Sequence, residues 1–429
     1  MMKRLFAIVP MMIAAVLCAA PTLDGTVSVF QDPTNALVTI RYAFTGEPAI
    51  VTVDIQTNGI NGYASIDNTF LTNLAGDVNK KISPGSGKVI TWQPADTIPG
   101  RFKVCNARAV VTLHATNSPP DYVVLDLADN GLGQGNSRVR FFPNADQIPL
   151  GVTNDIYKTR YYVMRRIHAA GIVWPMGAPD NESGRNSGLE KARPWVALSE
   201  DYYIGIYEVT QGHFKQQSTL AGVVSSKCHF NDQEDSDLRP VNNLTYTNIR
   251  ASSNSWPGDN HVFPQTWAYP QFLRNRVGTK FLLDLPTEAQ WEFACRAGRF
   301  DKLYYSGETE ADLSRAAWYT DNVPELAPQP VGRKEPNDWG LYDMLGNVEE
   351  FCLDNFREDF GISLTTYDEV DFFGPVTDYE GNKVKKVLRG GCFKVSSEKC
   401  RSAAREWGAP GTEYDFVGFR LAMQVVYPY

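Results

Sequence analysis

Apolar and polar residues alternate with a period of two through most of the first 115 positions. Residues 26–30 (TVSVF), 36–44 (ALVTIRYAF), 49–57 (AIVTVDIQT), 88–92 (KVITW) and 102–115 all show it, with β-branched residues prominent. Such alternation turns one set of side chains toward a core and the other toward water. Turn-forming groups separate the segments: Asp32-Pro33, Thr45-Gly46-Glu47-Pro48, Asn58-Gly59, Ser83-Pro84-Gly85 and Ile98-Pro99-Gly100. Short strands with regular turns predict an antiparallel β-sandwich over 22–118. Ser118-Pro119-Pro120 marks a boundary, and 122–127 (YVVLDL) and 139–143 (VRFFP) read as strands of a connecting β segment, 119–160. The glycine-rich stretch between them, 130–136, reads as a solvent hairpin. No helix-period segment follows it to face a phosphate, and no Gly-Lys-Ser/Thr is present.

Regular periodicity breaks down over 161–427, where Trp, Gly, Pro and Asn recur through irregular stretches. The clearest helix is 287–297. Thr287 and Gln290 have capping-box spacing behind Pro286, Trp291, Ala294 and Cys295 recur at helical spacing, and Gly298 supplies a stop. A second helix is expected near Thr210. The sandwich collects no catalytic residue types and is read as an immunoglobulin-like module for spacing or binding.

The N-terminus changes the picture of compartment. Lys3 and Arg4 precede an apolar stretch ending near Ala20, the pattern of a secretory signal peptide over 1–20, too short for a comfortable membrane span. An exported protein, periplasmic or extracellular, is expected, with no membrane span after signal removal. Removing Cys18 leaves Cys105, Cys228, Cys295, Cys352, Cys392 and Cys400, an even number that permits disulfides without choosing among pairings. The net charge of −8 argues against a nucleic-acid partner, which needs a basic footprint. With 34 glycines, 26 prolines and 12% aromatics, the chain is punctuated for turns rather than long helices.

Seven ordered segments carry a family resemblance: Trp174-Pro175-Met176-Gly177, Tyr202–Thr210 (YYIGIYEVT), Arg239-Pro240-Val241-Asn242, Leu285–Gly298 (LPTEAQWEFACRAG), Pro336–Val348 (PNDWGLYDMLGNV), Leu388-Arg389-Gly390-Gly391 and Val417–Leu421 (VGFRL). Together they resemble the formylglycine-generating enzyme (sulfatase-modifying factor) family across 161–427. The resemblance implies an α+β, loop-rich, C-type-lectin-like fold. It also implies a structural Ca2+ held by the side chains of Asp343 and Glu350 and the carbonyls of Gly346 and Val348. Hard oxygens in a glycine-bearing loop suit that ion; the competing reading is a turn followed by a solvated acidic helix start. Glu349 stands where the family usually has Trp.

The enzymes of that family use two thiolates to hold copper, in keeping with the preference of Cu(I) for sulfur. Here the first family cysteine falls on Val395, the loop carrying the second is shortened, and Cys392 and Cys400 lie in the segment at displaced positions. Three readings stay open: a Cys392–Cys400 disulfide, cysteines unpaired or paired elsewhere, and a displaced copper pair serving catalysis. Glu288 and Glu292, one turn apart, have the spacing of paired acid/base carboxylates or of a cap meeting an arginine such as Arg401, Arg405 or Arg420. Cys228-His229 with Asp232, Glu234, Asp235 and Asp237 has metal-ligand residue types but reads first as a solvated acidic loop. The expected function is an exported binding or accessory module without the usual copper pair, engaging a protein, peptide or glycan. The alternative is a formylglycine-generating oxidase using Cys392 and Cys400.

Overall fold

In the computed structural model, residues 19–425 are described except 60–61, 67–73, 95–106, 129–137, 192–193, 218–227, 229–231, 233, 251–267, 279, 361–368 and 372–384. The signal-like segment to residue 18, Cys105, His229 and the whole glycine-rich stretch 130–136 therefore lie outside the described residues. The chain divides into two compact units, Met1–Pro119 and Pro120–Tyr429.

The first unit consists of two sheets over one core. One contains β1 (Val38–Thr45) paired antiparallel with β3 (Gly85–Trp92); the other contains β2 (Ala49–Gly59) paired antiparallel with β4 (Ala107–Ala115). Alternation sets the faces: in β1, Val38, Ile40, Tyr42 and Phe44 are buried while the residues between them are not. These meet Ile90 and Trp92 of β3, Val51 and Ile55 of β2, and Val111 of β4.

The second unit is organised by a six-stranded sheet, in order β6 (Val139–Phe142), β5 (Tyr122–Asp126), β7 (Tyr161–Ile167), β8 (Tyr202–Gly205), β14 (Ala422–Val425), β9 (Phe281–Asp284). Strands β5 and β6 come from 119–160, the stretch set apart as a connector in the sequence; here they are built into this sheet, with Val123 opposite Met164. A four-stranded sheet, in order β12 (Arg405–Gly408), β11 (Lys386–Arg389), β10 (Glu349–Asn355), β13 (Val417–Gly418), carries the motif residues.

Helices are few and short: α1 (Gln211–Lys215), α2 (Tyr246–Arg250), α3 (Tyr269–Val277), α4 (Glu288–Arg296) and α5 (Glu310–Ala316). The chain is mostly β with few helices. In α4 the capping box is formed: Thr287 Oγ1 accepts from the Gln290 amide at 3.1 Å, and the Thr287 amide donates to Gln290 Oε1 at 3.0 Å. Ala297 (φ 47°) and Gly298 (φ 85°) end the helix in the left-handed region. Trp174 and Trp339 pack on Phe293 at ring-centroid distances of 5.5 and 5.3 Å.

Candidate functional site

The loop from Asp343 to Val348 leads into β10. Asp343, Gly346 and Asn347 all have positive φ (54°, 75° and 60°), so the loop turns sharply three times. Gly346 is required: a Cβ there would stand 2.2 Å from the Trp318 carbonyl oxygen. Its amide donates to Gly390 O at 2.8 Å, and the Asn347 amide donates to Trp318 O at 2.8 Å.

The structure brings Asp343 and Glu350 into one buried cluster and adds Glu208, which the sequence reading missed. Glu208 Oε2 accepts from Asn347 Nδ2 at 2.7 Å, and Oε1 from the Val348 amide at 3.2 Å. Asp343 Oδ2 accepts from the Gly332 amide at 2.6 Å, while Oδ1 is buried and has no hydrogen-bond partner. Glu350 is engaged by Arg420, at 2.7–2.9 Å, and by Trp291 Nε1 at 2.7 Å. Burial, then the charges of Asp343 and Glu350, push Glu208 well above the usual carboxylate range. Burial pushes Asp343 up to about 6, with the Gly332 amide and Arg420 opposing. Three carboxyl groups thus surround one guanidinium, Arg420, and carry an acid excess.

An orphaned carboxylate oxygen and surplus negative charge fit a hard cation such as Ca2+. Asp343 supplies the free side-chain oxygen. Glu350, expected as a ligand, has both its oxygens engaged by Arg420 and Trp291. Bound there, the ion would neutralise the loop's carboxylates and lock its turns.

Alternation along β10 sends Glu349 to the opposite face from Glu350. Glu349 shares its face with Phe351, and through the register Phe351↔Leu388↔Glu406, with Glu406 of β12. The two cysteines are near Glu349. Gly390 and Gly391 have φ of 99° and 73°, and a Cβ on Gly391 would stand 2.7 Å from Cys400 Sγ. Burial and then Glu349 hold both thiols well above the ordinary cysteine range, and the Cys392 amide faces the Cys400 sulfur. The sequence segment therefore converges in space, but in surroundings that resist the thiolate form a metal ligand needs. Val395 is half-buried against the main core. All five described cysteines, Cys228, Cys295, Cys352, Cys392 and Cys400, are free thiols.

Glu288 and Glu292 are not a reacting pair. Glu288 makes a two-pronged contact with Arg405, at 2.6 and 2.8 Å. Glu292 holds Arg296 at 2.8 Å, accepts from the Gly177 amide at 2.8 Å and pairs with Arg389. Burial opposes ionisation of Glu292, but Arg389 and Arg296 hold it below its usual range. Of the arginines anticipated as partners, Arg405 is one; Arg420 goes to Glu350 and Arg401 to Glu182 and Glu190. In the acidic loop, Asp235 pairs with Arg239 at 2.8 Å and Asp237 with Lys215 at 2.6 Å, so both are committed to ion pairs. Among the described residues no group of three or more His, Cys, Asp or Glu side chains is arranged to hold a metal by itself.

The family model for the sulfatase-modifying factor enzyme 1-like domain matches residues 169–425, well over half of the chain. The chain belongs to this family. Among its relatives, the formylglycine-generating enzyme of Streptomyces coelicolor is 34% identical over 151 residues, covering 32% of this chain and 46% of that protein. The serine/threonine-protein kinase pkn1 of Chlamydia pneumoniae is 37% identical over 141 residues, 33% of this chain and 21% of that protein. The chain thus spans less than half the length of either relative. A solved structure, Treponema denticola variable protein 1, is 27% identical with a TM-score of 0.45, covering 61% of this chain and 95% of that one. Cys392 and Cys400 follow Arg389-Gly390-Gly391 in sequence, and Glu349 precedes it on β10. Among the described residues no helix is long and apolar enough to cross a membrane.

Proposed function

We propose that this chain is an exported binding or accessory module of the sulfatase-modifying factor family, engaging a protein, peptide or glycan without oxidising it. The observation that carries this reading is the pairing of Val395 at the first copper-cysteine position with two buried thiols set beside Glu349. A carboxyl group next to two thiols raises the cost of forming the thiolates that Cu(I) requires. On this reading the first unit is an immunoglobulin-like spacer and the second a C-type-lectin-like scaffold steadied by Ca2+ at Asp343, with the Gly346 and Val348 carbonyls and Glu350 nearby. The test is a Cys-x-Pro-x-Arg sulfatase peptide incubated with copper-supplemented protein in oxygen. No aldehyde is expected; turnover to formylglycine overturns the reading.

The convergence of Cys392 and Cys400 favours a second reading, in which they are displaced copper thiolates of an oxidase. It requires stoichiometric Cu(I) uptake that disappears in Cys392→Ser. If the two sulfurs are disulfide-bonded in the exported protein, with no copper uptake after reduction, that second reading fails.

A further inference from the structure

Strand β4 pairs along its whole length with β2, from Ala49 opposite Ala115 to Thr57 opposite Ala107, with no shift of register. Val51 O accepts from the Asn79 amide at 2.7 Å and Ile55 O from the Ile66 amide at 2.9 Å, both on the flank of β2 away from β4. In an antiparallel ladder, a residue that turns its polar groups away from the neighbouring strand faces a partner that does the same. Leu113 and Ala109, opposite Val51 and Ile55, therefore turn their N–H and C=O groups to the outer edge of β4, and Val111 between them follows. Among the described residues no strand pairs with that edge; Ser28–Gln31, in the opposing sheet, pairs with β1. The edge lacks the features that ordinarily protect one: β4 holds no Pro and no Lys, no bulge interrupts the ladder, and no charged side chain points inward. Its one permanent charge, Arg108, is on the outer face, donating to Gln56 at 2.8 Å and lying 4.2 Å from the centre of the Tyr63 ring. The inward row is also incompletely covered. Ala107, Ala109 and Leu113 are half-buried, whereas Val51 and Ile55 beside them on β2 are fully buried.

We infer that β4 pairs antiparallel with β4 of a second copy of this chain, about a two-fold axis at Val111. That register sets Ala109 opposite Leu113 of the other copy and Val111 opposite Val111, so the outward N–H and C=O groups of all three exchange hydrogen bonds. The strand is self-complementary about this axis. On the inner side a small residue meets a large one, extending the cover over the half-buried row; on the outer side Val110 meets Thr112, a favourable β-branched pair. Each Arg108 falls opposite His114 rather than opposite its own copy. Pairing closes at two copies, because the other flank of this sheet holds only the short strands Gly62–Ser65 and Lys81–Ile82. This inference goes beyond the binding-module reading and does not depend on it.

The test is sedimentation equilibrium of the full chain at micromolar concentrations, where twice the mass of one chain is expected. Ala109→Pro removes an amide that points out of the ladder, a place where an edge strand accepts proline, so the melting temperature is kept and the species becomes monomeric. Val110→Lys, at an outer position already 38% exposed, puts a protecting charge on the edge and should weaken the dimer at least about tenfold. It decides alone if the proline variant does not fold. A monomeric unaltered chain overturns the inference, including one whose edge takes a strand from another protein, as does a dimer that neither variant weakens.

Discussion

Among individual residues, Lys386 shows how a buried charge writes itself into stability. Its ammonium donates to Leu353 O at 2.8 Å and lies 4.6 Å from the centre of the Tyr246 ring. Burial, then the nearby Arg250, lower it from 10.5 to about 7, with Asp354 and Asp284 opposing. Between those two values the unfolded chain holds a proton that the folded chain does not, so stability from this group rises with pH through that window. Below pH 7 both states are protonated and the full cost of the buried charge is present. Urea titrations at pH 7 and pH 9 should show Lys386→Met losing up to about 1.4 kcal/mol per pH unit of the rise seen in the unaltered chain. A difference that is flat with pH would place the proton elsewhere. Arg389 tests the opposite situation, a charge whose partners need it. Arg389→Met leaves Glu292 with Arg296 alone and should cost about 3–5 kcal/mol in denaturant unfolding, the range for breaking a buried pair on one side.

Elements were legible to different depths, and the reasons are physical. The α4 start was readable because a capping box is a contact three residues long: Thr287 and Gln290 must meet if the helix begins there. Thr287→Ala should cost about 1 kcal/mol, measured by thermal unfolding. The strands of the first unit were readable because alternation alone fixes their faces. Glu208 was present in the YYIGIYEVT segment, yet nothing in the spacing shows that it meets Asn347, 139 positions later. The arginine partners of Glu288 and Glu292 were narrowed to a few candidates, and Arg389, 97 positions from Glu292, was not among them. Such pairings depend on how β11 docks against α4, which no local period encodes. Connector strands β5 and β6 were recognised as strands, but only three-dimensional pairing with β7 assigns them to the larger sheet. The loop before β10 is the least forgiving element. Gly346→Ala would force a Cβ into the Trp318 carbonyl at positive φ, and soluble folded yield should drop sharply beside a Gly411→Ala control, where a Cβ meets nothing within 4 Å.

For the whole molecule, an arginine–carboxylate framework ties the motif segments of the second unit together. Arg420 braces Glu350, and Arg389, Arg401 and Arg405 tie the motif loops to acidic residues from distant parts of the chain. In the segment after Arg389-Gly390-Gly391, Val395 is half-buried and two thiols are buried beside the Glu349 carboxyl group. On the proposed reading, Val395 and the two thiols buried beside Glu349 favour binding over oxidation. The most direct measurement is mass spectrometry of a Cys-x-Pro-x-Arg peptide after incubation in oxygen with the full chain, reduced and then supplied with Cu(I). Expected is a peptide whose cysteine is not converted to the aldehyde above a protein-free control. Catalytic formation of formylglycine, abolished in Cys392→Ser, would contradict it.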